Sequence, residues 1–497
     1  MKFKFRNYIY PAILCAAVLL GCSDDLEVQP YDGLTIDQTT GTPEGLKAAT
    51  IGNYNYIKDP YYTRNFHMLA EYPSDNVALS GTTTDPLFYA YNYQHLTSMG
   101  ITDNFFRKAY QAIYGTNVVI EKLQEGQSAE LDQVLGENYF LRAMVHFDLV
   151  NIFGRPYAQD GGASPGVMIR NNTDINDLPP RSTVKEVYEF VIQDLKKAAS
   201  LMGSTKSSSF ASKEVAQALL SRVYLYMENN EKAIEYADLV INSGRYILLP
   251  TANLPNYFTY ANETNRETIF AIKHTLQDDQ TWSSLGSMYL NDGMGYGEMY
   301  ASESYRNLID KFGEDRRREF IVPVYEKNAD GSIKTGADGK PVLATRNGYP
   351  KYYITKYSYQ EGVVTLSSPV YLRLAEMYLN RAEANARLGN NEAALEDVNL
   401  IRRRAGLSGD ALFSASNMMG YTSVLDVVLD ERRLELAWEA QRKYDVFRNK
   451  RTMVRNYPGT HLPSGSNTQE IPYTHPRVVY FIPEQEIILN PKLEQNP

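Results

Sequence analysis

Gly162-Ala163-Ser164-Pro165-Gly166 fits the bare G-x-S-x-G pattern of a serine nucleophile held on a strand-to-helix elbow. The chemistry of that elbow needs the residue after the serine to offer its N–H to an oxyanion and to open a helix. Pro165 has no N–H, and a strand-like Val167-Met168-Ile169 follows, so the pattern is empty here. The glycine-rich stretch 293–298 lacks the strand and helix that a dinucleotide loop requires. The six histidines (67, 95, 146, 274, 461 and 475) show no paired metal-ligand spacing, and His146 sits among apolar residues as a core histidine would. A carboxylate pair for glycoside hydrolysis needs only to meet in space, and nothing in the chain marks one. No EF-hand spacing is present, so a structural Ca²⁺ has no motif behind it; no cofactor is expected.

What remains is chemistry of contact. The chain uses 39 tyrosines against 2 tryptophans, and a tyrosine offers a flat apolar face with a hydroxyl at its edge, suited to polyhydroxylated ligands. Trp282 lies in a segment without helical period, with Tyr289 and Tyr296 following and Gly293, Gly295 and Gly297 making the backbone adaptable. An exposed ring there would stack on the C–H face of a sugar. Tyr72, Ser74, Asp75 and Asn76 end an aromatic stretch, where short polar side chains would bond hydroxyls or simply form a turn. Trp438 lies on a helical pattern beside Leu434 and is expected in the core. The charged set from Arg432 to Arg448 has regular helical spacing, which marks a structural ion-pair network rather than acid–base catalysis.

The N-terminus is a processing signal. Lys2, Lys4 and Arg6 precede an apolar run, 13–20, too short to span a bilayer. Leu19-Leu20-Gly21-Cys22 matches the lipobox of bacterial lipoproteins, with cleavage after Gly21 and acylation of Cys22. An ordinary secretory signal that happens to end in cysteine is the plainer alternative. Cys15 is the other of the 2 cysteines and would be removed, leaving no disulfide and no thiolate metal site. Formal net charge is -9 with no long basic run, which excludes a nucleic-acid footprint. Acidic Asp24 and Asp25 follow Cys22, and a polar Gly/Thr-rich stretch closes a tether over 22–42.

These groups must be positioned by helices. The pattern predicts helices over 43–58, 103–123, 129–153, from Ser182-Thr183 to 201 (either hydroxyl able to cap it, with Glu186 three residues after Thr183 in a capping-box pattern), from 213 and from 231. It predicts one long charged helix over 424–451. Residues 369–407 read as a helical hairpin: Tyr371, Leu374, Ala375, Tyr378 and Ala382 make one face, Gly389-Asn390-Asn391 the turn, and Ala394, Leu395, Val398 and Ile401 the second face. Asn229 to Glu235 echoes Asn390 to Glu396. Both hairpins resemble tetratricopeptide repeats, which bury their faces only by stacking, so the material between them is an insertion. Residues 59–100 and 246–366 read as loop-rich, with short strands near 268–272 and 351–357 and Asp-Gly hairpin tips at 330–331 and 338–339.

Several motifs together resemble the SusD/RagB-like nutrient-binding outer-membrane lipoproteins of Bacteroidetes. They are Leu141-Arg142-Ala143 with Phe147-Asp148-Leu149-Val150 and Phe153-Gly154-Arg155-Pro156; Pro180-Arg181 to Leu195; the hairpin ending Arg402-Arg403-Arg404-Ala405-Gly406-Leu407; Glu431-Arg432-Arg433 through Trp438-Glu439 to Arg448; and Ile482-Pro483 to Pro497. Ala440 departs from the family, which usually has Gly there. The resemblance implies a mainly α, SusD-like fold over 43–497: a tetratricopeptide-type helical scaffold, mainly within 103–245 and 369–450, and an irregular ligand-binding half. It implies capture of an oligosaccharide at the cell surface without catalysis, and hand-over to a SusC-like TonB-dependent barrel. Peptide binding within the same fold is the alternative; a surface glycosidase is a weaker one.

Overall fold

A computed structural model of the chain describes residues 39–203 and 206–497. The leader, Cys22 and the tether as far as residue 38 lie outside the described residues. The first helix, α1 (Pro43–Lys58), begins where Thr42 accepts the Gly45 N–H and Pro43 presets the first turn. Residues 59–100, read from the sequence as loop, instead hold α2 (Thr63–Ala70), β1 (Val77–Leu79) and α3 (Pro86–Tyr91). Asp85 caps α3 by accepting the Leu87 N–H ahead of Pro86. Then come α4 (Gly100–Lys122), α5 (Ala129–Phe153), α6 (Val184–Leu201), α7 (Lys213–Tyr226) and α8 (Asn230–Ile241). The Thr183–Glu186 capping box at α6 is formed in both directions.

The irregular half follows as β2 (Thr268–Ala271), α9 (Gly286–Tyr289), β3 (Met299–Ala301), α10 (Glu303–Ile309), β4 (Ile321–Pro323), β5 (Thr345–Arg346), β6 (Tyr349–Pro350), β7 (Tyr352–Ile354) and β8 (Val370–Arg373). The chain returns to helix in α11 (Leu374–Arg387), α12 (Asn391–Arg404), α13 (Val424–Glu435) and α14 (Arg442–Arg448), and ends with β9 (Met453–Arg455), β10 (Gln469–Ile471) and α15 (Glu484–Leu489).

Successive helices from α4 to α8 pack each on the next, and α8 then packs directly on α11, which also meets α12 and α13. The two related hairpins, α7–α8 and α11–α12, are therefore neighbours in the stack, and the material between them is looped out. The antiparallel pairing of β2 with β8, Thr268 opposite Arg373, closes the neck of that insertion. The other strands form the antiparallel pairs β1–β3, β4–β7, β5–β6 and β9–β10. Tyr371, assigned from its spacing to a helix, lies on β8; strand pairing takes the chain until Leu374.

The helix expected over 424–451 is broken into α13 and α14. Between them Trp438 (φ 63°) and Ala440 (φ 59°) adopt left-handed backbone. The cause is distant in sequence: the Glu71 carboxyl group at the end of α2 accepts the N–H groups of Trp438 and Ala440 at 3.2 and 3.0 Å. Two backbone donors are thus satisfied by a side chain rather than by helix carbonyls. The corner drives Trp438 into the core at 0% exposure, against Tyr305, with its Nε1–H donating to the Asn76 carbonyl. Burying an indole of about 200 Å² contributes on the order of 5 kcal/mol.

The charged set around this corner is a buried network. Glu435 meets Arg317, Arg373 and Arg404, and Glu383 meets Arg432 and Arg448. Burial alone would raise the Glu435 carboxyl, but the guanidinium groups of Arg404, Arg373 and Arg317 hold it well below the usual carboxylate range.

Candidate functional site

The structure separates the residues singled out in the sequence as ligand contacts into two groups. Tyr72, Asp75, Asn76 and Tyr289 are buried, which corrects the reading of them as a surface. Asp75 accepts Arg442 Nε and Nη2 at 2.8 and 3.0 Å and lies within ion-pair reach of Arg433. Burial would raise its carboxyl, but Arg433 and Arg442 draw it below the usual range. Asn76 accepts from Arg433 Nε at 2.9 Å and donates to Glu71. The Tyr289 hydroxyl is hydrogen-bonded to His67 Nε2 at 2.7 Å, and burial lowers that imidazole to about 3, so it is neutral. Tyr72 packs edge-on to both His67 and Tyr289. These four belong to the buried interior, where Asp75, Asn76 and Tyr289 are bonded to Arg433, Arg442, Glu71 and His67 rather than offered to a ligand.

Trp282 and Tyr296 are 44% and 45% exposed. Their ring centroids are 5.1 Å apart at 65°, an edge-to-face pair that leaves faces open to solvent. Ser287 on α9 ties the two segments together. Its hydroxyl donates to the Trp282 carbonyl at 2.8 Å, and its carbonyl accepts the Tyr296 and Gly297 N–H groups at 2.6 and 3.0 Å. Two of the glycines, Gly295 and Gly297, are demanded by packing, whereas Gly293 serves only its left-handed φ of 75°. A Cβ on Gly295 (φ 104°) would sit 2.2 Å from the Leu290 carbonyl oxygen, and one on Gly297 would reach the Tyr353 ring at 2.8 Å. The aromatic pair is pre-organised, so ligand binding need not order it.

Polar groups from distant elements surround the pair. Arg346 Nη2 donates to Glu298 at 2.9 Å and its Nη1 to the Tyr296 carbonyl at 3.4 Å. The next residues, Asn347 and Gly348, both have positive φ (50° and 82°) and turn β5 into β6; Asn347 Nδ2 donates to the Ser80 carbonyl. Sequence reading missed this turn, although Asn347-Gly348 between short strand patterns is a direct hairpin signal. On the other flank Asp279 accepts the Thr281 N–H at 3.1 Å and the Thr365 hydroxyl at 2.8 Å, and the Tyr359 hydroxyl donates to Asp292 at 2.9 Å.

Elsewhere the chemistry is structural. The Ser164 hydroxyl and N–H are both held by Asp160, and Pro165 bridges to Thr183 instead of opening a helix. Among the described residues no group of three or more His, Cys, Asp or Glu side chains is arranged to hold a metal ion, and no helix is long and apolar enough to cross a membrane. His146 is buried, with Nδ1 bonded to the Arg142 carbonyl at 2.8 Å. A cavity of about 50 Å³ lies at the neck of the insertion, lined by Asp148, Tyr62, Tyr371 and Arg222 among others.

Comparison with known proteins agrees along the whole length. The profile of the SusD family matches residues 223–497, and a profile described as starch-binding associating with outer membrane matches residues 26–225. A SusD-like protein of Formosa agariphila is 26% identical, covering 100% of this chain and 99% of its own. The starch-binding protein SusD of Bacteroides thetaiotaomicron is 21% identical, covering 90% and 91%. Among solved structures, a SusD superfamily protein of B. thetaiotaomicron superposes with a TM-score of 0.81 at 29% identity over 93% of this chain and 100% of that one. A putative sugar binding protein of Bacteroides vulgatus gives 0.77 at 27% identity over 91% and 98%. With more than half of its residues inside one family profile and the fold of that family throughout, the chain belongs to the SusD family.

Proposed function

We propose that the protein is a non-catalytic glycan-binding lipoprotein of the outer membrane. It holds an oligosaccharide against Trp282 and Tyr296 and passes it to a SusC-like TonB-dependent transporter, while an acyl chain on Cys22 anchors it at the cell surface. The observation that carries the reading is the exposed, edge-to-face Trp282–Tyr296 pair, with Ser287 bonded to the Trp282 carbonyl and Arg346 to the Tyr296 carbonyl. Flat aromatic faces match the C–H faces of pyranose rings, and the surrounding polar atoms match their hydroxyls. The starch-binding and sugar-binding relatives support the ligand class, and the outer-membrane description of the family profile supports the location. The lipobox at 19–22 supports the anchor.

Affinity gels loaded with soluble polysaccharides, run beside a peptide-pool binding assay, test the ligand class. Retardation by at least one glycan is expected; binding to peptides alone defeats the reading. Trp282→Ala should weaken glycan binding by about tenfold or more, as loss of an aromatic anchor does, at unchanged melting temperature. Equal affinity in the variant removes Trp282 from the site. Incubation with the bound oligosaccharide should return it at full length, and recovery of the transporter with the protein from solubilised membranes tests the partner.

A further inference from the structure

A groove of about 890 Å³ opens on the helical scaffold, between α12, the start of α13 and the connection that joins them. Its lining lies within residues 386–425, outside the insertion that carries Trp282 and Tyr296. Leu395 and Phe413 are buried in it, and Met418, Tyr421 and Val424 pack half-buried against the same apolar cluster. The connection is fixed in place. Asn399 on α12 donates to the Phe413 carbonyl and accepts the Phe413 N–H, each at 2.8 Å, and Asn417 Nδ2 donates to the Asp410 and Leu412 carbonyls at 3.0 and 3.1 Å. An occupant need not order this wall. The charged side chains that line the groove, Glu392 and Glu396, are both acidic and both exposed, one turn apart on α12. Among the described residues neither carboxylate makes a hydrogen bond or an ion pair. Like charges at that spacing repel, so a cation placed against them is favoured.

We infer that this groove docks a basic amphipathic helix of a partner protein, whose apolar side chains enter against Phe413, Met418 and Val424 while lysine or arginine side chains along its edge pair with Glu392 and Glu396. The apolar lining sets the burial and the two carboxylates set the charge of what is buried there. Among the described residues the one bridge in these walls, Ser414 with Asn417, closes within the connection. An extended peptide finds no free strand edge to pair with, so the occupant must satisfy its own backbone, as a helix does. The groove follows α12 from Asn391 to Asn399, about 12 Å at the rise of a helix, which matches about two turns of a partner helix. Met418 suits such a surface, since its unbranched thioether adapts to another chain's side chains. A neutral glycan would leave both carboxylates uncompensated. A second copy of this chain, at a formal net charge of -9, would bring further negative charge to them. The inference is independent of the glycan reading.

The test uses the full chain in zwitterionic detergent and a pool of fluorescein-labelled peptides of about 15 residues, long enough to hold a helix. Their apolar positions, at i, i+3, i+4 and i+7, vary among Leu, Ile, Met and Phe, and the flanking positions carry Lys. A second pool carries Glu in place of each Lys, and a third carries Ser in place of each apolar residue. Fluorescence polarisation compares wild type with the double variant Glu392→Gln, Glu396→Gln and with Ala415→Arg, which sets a bulky cation in the exposed lining. The variants also control for peptide taken up by micelles. Their melting temperatures should match wild type, because none of the three side chains has a bonded partner to lose. At least one Lys peptide is expected to bind wild type, its Glu and Ser counterparts about tenfold more weakly or worse, and both variants should lose about tenfold or more in affinity for it. Unchanged binding by Ala415→Arg, or no binding of any Lys peptide, overturns the docking site. Equal affinity for the Glu pool overturns the basic partner. A wild-type dimer in sedimentation that Ala415→Arg dissociates would seat a second copy in the groove and defeat the assignment.

Discussion

At the scale of single residues, Ala440 holds a left-handed backbone that favours glycine. Its φ of 59° lies in the region where a Cβ costs about 1–2 kcal/mol. Glu71 holds the N–H of Ala440 in place, so the strain is imposed by a contact and not by the local sequence. Ala440→Gly should therefore raise stability by roughly 0.5–1 kcal/mol, the relief of strain exceeding the extra freedom of glycine in the unfolded chain. Urea unfolding with an unchanged m-value checks this; a loss of stability would mean that the left-handed conformation is not strained. None of this geometry was legible from sequence. Arg432 to Arg448 has unbroken helical spacing, and the group that breaks it, Glu71, lies 367 and 369 residues away from its two donors. The Trp282–Tyr296 pair was legible because it depends on a short segment, whereas Tyr72 and Tyr289 look the same in sequence and differ only in what packs over them.

At the scale of elements, the region after α2 shows why polar loop residues mislead. Ser74-Asp75-Asn76 has the composition of a ligand loop, but it is a plug between α2 and the α13–α14 corner. Asp75 fastens Arg442 and Arg433, and Asn76 fastens Arg433 and Glu71. Helices whose determinants are local were readable: α1 and α5 begin and end where period and caps place them, and α6 starts at its capping box. Asp75 acts through partners 358 and 367 residues downstream, which no local pattern reports. Asp75→Asn keeps the shape and removes the charge, leaving two buried guanidinium groups without their counter-ion. A cost of about 3–5 kcal/mol follows, the usual result of breaking a buried pair from one side. Calorimetry should show the loss as a lower melting temperature, and glycan affinity measured well below that temperature should change little, since Asp75 is buried and its carboxylate is taken up by Arg442 and Arg433. A variant of full stability with lost binding would return Asp75 to the ligand surface.

At the scale of the whole molecule, one buried carboxyl joins the three parts of the fold. Asp148 on α5 accepts the hydroxyls of Tyr62, ahead of α2, and Tyr371, on β8 at the neck of the insertion, each at 2.6 Å. Burial raises Asp148 to about 7, against the pull of the two hydroxyl donors and of Arg222. A carboxyl near 3.8 when unfolded and near 7 when folded makes the native state bind the extra proton between those values, so stability falls as pH rises through that window. The span corresponds to about 4 kcal/mol at most. Glu71, raised by burial to about 8, acts with the same sign a little further up. The carboxyls held low by arginines, Asp75, Glu383 and Glu435, act with the opposite sign, and their stabilisation is lost only as pH drops below about 4. The two effects occupy separate windows, so one substitution can isolate the first. Asp148→Asn cannot ionise, and either tyrosine hydroxyl can turn to accept from its amide. Unfolding free energies measured at pH 4.5, 5.5, 7 and 8.5 should fall more shallowly in the variant than in wild type up to pH 7, with the acid-side loss below pH 4 unchanged. Parallel curves would mean that Asp148 stays ionised across the range, and that the junction of stack, insertion and N-terminal segment tolerates a buried charge.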